Sequence, residues 1–151
     1  MSDSFDPSPS QIQVIMMLAD AAQVADGKLY VLGAGITLVS PSPSPLAIAV
    51  KVDVPWDRAG QAHAWLLELL DADGMPVLIG DQPVIVQGQF EVARTEHLLP
   101  GIPLPMPLAV NFSGLALPAE QRFVWRLAID GETEPSWQVA FSVAPQPTID
   151  V

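Results

Sequence analysis

Apolar residues recur at every second position in segment after segment of this chain, and no catalytic or ligand-binding signature overlies them. In residues 122–130, Phe123, Trp125, Leu127 and Ile129 share one parity; Arg122, Val124, Arg126, Ala128 and Asp130 share the other. Successive side chains on a strand leave opposite faces, so the pattern describes a strand with one buried face. Residues 46–54 repeat it, with Leu46, Ile48, Val50, Val52 and Val54 inward and Lys51 and Asp53 outward. Residues 62–70 set His63, Trp65, Leu67 and Leu69 opposite Glu68, and residues 136–143 turn Trp137, Val139, Phe141 and Val143 inward. Parallel sheets read as continuous apolar runs, whereas alternation with one solvated face is antiparallel. About eight or nine strands at short spacing, with turn signals between them and no long helix, predict an all-β fold. It is a single-domain, antiparallel two-layer β-sandwich with Trp65, Trp125 and Trp137 in its core.

The remaining segments fill in that plan. Residues 1–10, with Pro7 and Pro9, read as a flexible N-terminal arm; residues 11–144 form the sandwich; residues 145–151, with Pro145 and Pro147, form a C-terminal tail. Residues 11–19 fit a strand through Ile12, Val14, Met16 and Leu18, and a helix through Ile12, Ile15, Met16 and Ala19; β-branched content favours the strand. Residues 20–27 read as a connector with room for one helical turn, closed by the turn pair Asp26-Gly27. Residues 28–39 read as one strand, bulged or closely approached at Gly33 and Gly35. The Ser-Pro alternation over 40–45 reads as a stiff loop rather than a ligand for an adaptor domain. Asp71-Ala72-Asp73-Gly74 is a hairpin turn leading into 76–79, and Gly88 marks a bulge in a strand over 84–92. Pro100, Pro103, Pro105 and Pro107 confine 97–107 to a sheet edge or to no sheet, with a strand resuming over 108–117.

Composition narrows the partners. Half of the 151 residues are hydrophobic and 15% are charged, which excludes disorder for most of the chain. The longest apolar run, 14–19, is too short for a bilayer, and the first six residues show no basic or apolar targeting region. There is no cysteine, so disulfides, zinc–thiolate sites, iron–sulfur clusters and cysteine nucleophiles are excluded, and a cytoplasmic location fits. The net charge of −11 repels phosphates and anionic headgroups, so neither nucleic acid nor membrane is an expected partner. The basic residues Lys28, Lys51, Arg58, Arg94, Arg122 and Arg126 are scattered, and the acidity reads as solubility.

Few residues invite chemistry. His63 shares a face with Trp65 and reads as a packed imidazole with one hydrogen bond; His97 reads as solvated. Neither stands in a metal-ligand spacing, and no G-x-S-x-G elbow is present. Gly33-Ala34-Gly35 opens a dinucleotide fingerprint without completing it. No catalytic, cofactor-binding or metal residue is assigned, and no cofactor is expected. The function read here is unknown in detail but non-enzymatic: a protein-binding or assembly module, with self-association expected because few strands must hide much apolar surface. One alternative is calcium-dependent binding, if the acidic loops Asp53/Asp57, Asp71/Asp73 and Asp130/Glu132/Glu134 meet at one end of the sandwich. A small hydrolase is the other, and it requires His63 or His97 within reach of a serine or carboxylate.

Residues 17–35 (MLADAAQVADGKLYVLGAG) resemble the opening of a family of small bacterial proteins catalogued only as a domain of unknown function. The segments 54–59 (VPWDRA), 67–74 (LELLDADG), 90–92 (FEV) and 123–132 (FVWRLAIDGE) resemble its later parts. The resemblance spans residues 12–143 and implies a cytoplasmic β-sandwich, with no activity, cofactor or site residue to carry over.

Overall fold

The computed structural model describes residues 11–148. The arm expected over 1–10 lies outside them, as do the last three residues of the expected tail. Among the described residues the strands are, in order, β1 Gln13–Ala19, β2 Ala21–Ala25, β3 Lys28–Leu32, β4 Leu38–Val39, β5 Leu46–Val54 and β6 Ala62–Asp71. Then come β7 Leu78–Ile79, β8 Gln82–Pro83, β9 Ile85–Glu91, β10 Leu104–Phe112, β11 Arg122–Ile129 and β12 Gln138–Val143. Among the described residues helix is confined to one turn, Trp56–Arg58, and no helix is long and apolar enough to cross a membrane.

Two sheets form the body. One has the order β1-β5-β10 and the other β4-β12-β11-β6-β9. Every ladder is antiparallel except the two-residue pairing of β4 with β12. The predicted inward rows are the buried ones. Ile48, Val50, Val52 and Val54 of one sheet and Leu67, Leu69, Trp125, Leu127 and Phe141 of the other share one apolar cluster. Phe112 of β10 stacks on Trp125 of β11 with centroids 5.0 Å apart, so an aromatic pair ties layer to layer. Trp65, Trp125 and Trp137 are all buried, as the alternation required.

Several expectations are corrected. Residues 21–25 are a strand and not a connector; Asp26 (φ 51°) and Gly27 (φ 70°) make the tight turn that folds them onto β3. That hairpin lies over the outer face of the three-stranded sheet, burying Ala19, Ala47 and Ala49 beneath Ala22, Leu29 and Val31. The face expected to be solvated is therefore partly a third layer. The stretch 28–39 is not one strand, because Gly33 and Gly35, both at positive φ, break it between β3 and β4. The positive φ of Gly33 favours glycine at the break, and the exposed Asp20 side chain lies against it. Gly88 is not a bulge: β6 and β9 run in unbroken register through the Trp65–Gly88 pair, and a Cβ there would meet the indole at 2.9 Å. The glycine is where the Trp65 ring lies. The strand expected over 108–117 starts earlier, at Leu104, and ends at Phe112. Pro105 and Pro107 thus sit within an edge strand.

Candidate functional site

The polar residues gather at the end of the sandwich where β11 turns into the loop before β12. Asp130 (φ 53°) and Gly131 (φ 78°) make that turn. Asp130 N–H donates to the Ala64 carbonyl at 2.7 Å, which continues the β11–β6 ladder by one step. The turn then aims the carboxylate back across β6. Its Oδ1 accepts the Ala64 N–H at 2.9 Å, and its Oδ2 lies 2.7 Å from His63 Nδ1 and 3.7 Å from the Arg58 guanidinium. The hydrogen bond from His63, helped by the Ala64 N–H and the charges of His63 and Arg58, outweighs partial burial and holds the Asp130 carboxyl below its ordinary range.

His63 is only 2% exposed and stacks on Phe90 at 5.1 Å. Nδ1 faces the carboxylate; Nε2 is buried and makes no hydrogen bond among the described residues. The histidine–carboxylate contact that a hydrolase would need is present, but no hydroxyl stands at the other nitrogen, and the ring is sealed from solvent. The arrangement is that of a packed imidazole fixed by one carboxylate. His97 is exposed in the loop before β10.

Two of the three acidic loops share one end, where Asp53 and Glu134 line one depression and Arg58 reaches Asp130, but the third does not join them. Asp71 opposes Phe123 at the start of β11, whereas Asp130 follows its end, so these acids occupy opposite ends of the sheet. Asp71 Oδ1 accepts the N–H groups of Asp73 and Met75, both at 2.9 Å, closing its own hairpin turn. Asp53 pairs with Lys51 at 3.4 Å. Among the described residues no three His, Asp or Glu side chains stand together as cation ligands. Two of the bases are also engaged: Arg94 donates twice to the Trp56 carbonyl and lies over its ring at 5.0 Å, and Arg126 donates twice to Glu68 Oε1.

The rims of the two sheets differ more than their faces. Which backbone groups point outward follows from the ladders. The Leu18 carbonyl accepts Gly35 N–H, so the even residues of β1 face out and its odd residues bind β5. Alternation then directs the even residues of β5 toward the even residues of β10, and the odd residues of β10 face out. Pro105 and Pro107 stand at two of those odd positions, where they remove the donors an added strand would need. The rim of β1 is partly occupied by the segment through Gly35, which passes on to β12, where Ser142 N–H donates to Thr37 O. In the five-stranded sheet, β4 is only two residues long.

Among the described residues, the rim of β9 has none of these devices. Ala64 binds Asp130 in the ladder, so the odd residues of β6 face β9, and Leu69 N–H reaches Val84 O. Val86, Gly88 and Phe90 therefore bind β6, while Ile85, Gln87, Gln89 and Glu91 turn their backbone groups outward. Beside this rim stand exposed apolar side chains: Met75, Leu78, Ile79 and Ile85. The outer face of the sheet carries a shallow depression lined by Ala64, Leu66, Gln87, Gln89 and Ala128.

Comparison with known proteins adds one finding. A family model described as "Family of unknown function (DUF6941)" matches residues 14–143, from the second residue of β1 to the last of β12. No curated protein and no solved structure matches the chain.

Proposed function

The chain belongs to this family of unknown function, and on that premise we propose that it is a non-enzymatic protein-binding or assembly module. The observation that carries the reading is the seven-residue rim of β9, left open among the described residues, with Leu78, Ile79 and Ile85 exposed. Natural sheets blunt such rims with proline, lysine, short strands or covering loops, and an added strand satisfies backbone groups that water otherwise holds. The charge of −11 turns phosphate and anionic lipid away, so the partner is a polypeptide. Absence of cysteine suits a reducing compartment such as the cytoplasm.

Affinity capture of the full chain from its native extract, read by mass spectrometry, tests the reading. A stoichiometric polypeptide partner, or untagged copies of the chain itself, is the expected result. Recovery of the bait alone under gentle wash conditions overturns it.

A further inference from the structure

Resting on that reading, we infer that β9 is the seat of a second copy of this chain, joined rim to rim about Gly88 so that two five-stranded sheets become one of ten strands. The register argues for a copy in particular. The outward-facing backbone groups belong to Ile85, Gln87, Gln89 and Glu91, placed symmetrically about Gly88. An antiparallel copy about a two-fold axis at Gly88 pairs Ile85 with the partner's Glu91 and Gln87 with the partner's Gln89. Every outward donor and acceptor of β9 is then matched, with none left over.

Side chains agree with the backbone. On the core side Val86 faces the partner's Phe90, and both are half-buried, so each covers the other's open flank. At the axis, Gly88 brings no side chain to the closest approach, because the Trp65 indole lies where its Cβ would be. Charge also favours self-pairing. In a chain of −11, β9 carries one charged residue, Glu91, and this register sets it opposite Ile85 and far from the partner's Glu91. The other rims do not offer this: that of β10 is broken by Pro105 and Pro107, β1 is occupied at Leu18 by Gly35, and β4 spans two residues.

The test uses purified full-length chain, two variants and two measurements. Gln87→Pro removes an outward N–H that bonds to nothing among the described residues, and the double variant Q87K/Q89K leaves the backbone intact while setting lysines against lysines across the axis. By sedimentation equilibrium the parent should sediment at twice the chain mass of 16.1 kDa, and both variants at the single-chain mass, still folded by circular dichroism and with a melting temperature that, unlike the parent's, does not rise with concentration. By hydrogen exchange, the Gln87 and Gln89 amides of the parent should exchange at least about tenfold more slowly than in an exposed rim. A parent that stays a single chain at every concentration overturns the inference, as does a pair that survives in Q87K/Q89K. If such a single chain still retains a stoichiometric partner from extract, the copy is refuted and the broader reading stands.

Discussion

On its inner face, the three-stranded sheet meets Trp125, Leu67 and Phe141 of the opposing sheet; on its outer face, it meets a hairpin across Ala47, Ala49 and Ala22. The first contact is made of large side chains that interdigitate, and the second of methyl groups that let two backbones approach. Burial energy scales with apolar area, so the inner contact supplies most of the stability. The outer contact gains little area per residue, and Ala19, Ala47 and Ala49 are fully enclosed in it. Its fastening is partly polar: Asn111 Oδ1 accepts Ala22 N–H at 3.3 Å while Asn111 Nδ2 donates to Ala22 O at 2.9 Å. The two faces of one sheet thus fail differently, the inner by loss of volume and the outer by gain of it.

Four substitutions sharpen or break this contrast. Trp125→Ala, at the fully buried centre of the inner contact, should cost about 3–5 kcal/mol in urea unfolding. A cost below about 1 kcal/mol would mean that the large-side-chain layer is not what holds the body together. On the outer side Ala49→Leu should cost about 1–3 kcal/mol by overpacking. Its signature should be local, with hairpin amides exchanging faster while those of β11 stay protected; equal loss on both faces would erase the distinction.

Asp130→Asn tests His63, the one buried polar side chain among the described residues. Asparagine tolerates the positive φ of Asp130 but presents one oxygen where two N–H groups need acceptors, so the loss should be about 1–2 kcal/mol. The same change should alter the acid limb of stability. A carboxyl held below its ordinary range binds its proton more weakly in the folded chain than in the unfolded one. Its contribution is complete above the unfolded value of about 3.9 and fades as pH falls through the lower folded value. The parent should therefore lose more stability than the variant on titration below about pH 4, and parallel curves would refute the Asp130 assignment. The smallest effect is expected of Asn111→Ala, about 0.5–1.5 kcal/mol. It should appear chiefly as faster exchange at Ala22, with the melting of the body little changed.

Much of the body was legible in the sequence because its rows are made of residues with strong and opposite preferences. Phe123, Trp125, Leu127 and Ile129 against Arg122 and Arg126 admit one orientation only, and that orientation is the one found. The hairpin was half legible. Asp26-Gly27 announced the turn, but Ala21, Ala22 and Gln23 carry no strand preference of their own and are held extended by pairing with β3 and by Ala47 and Ala49 far along the chain. Gly88 is ambiguous for a related reason: a glycine in a strand signals either a bulge or a close neighbour, and only the cross-strand partner decides between them. The His63–Asp130 contact joins residues 67 apart in sequence, so no local spacing could announce it. An inward-facing histidine did signal the need for one partner. The open rim was hidden too, since being last in a sheet is a property of strand order and not of any segment.

The two prolines of β10 have an effect beyond their own strand. A body with adhesive borders on both sides adds neighbours indefinitely and ends as a fibre. Here, among the described residues, the border beyond β10 lacks the hydrogens at 105 and 107 that a newcomer would grip, and only one seven-residue border remains whole. Under the pairing inferred above, one encounter saturates that border and assembly stops at two copies.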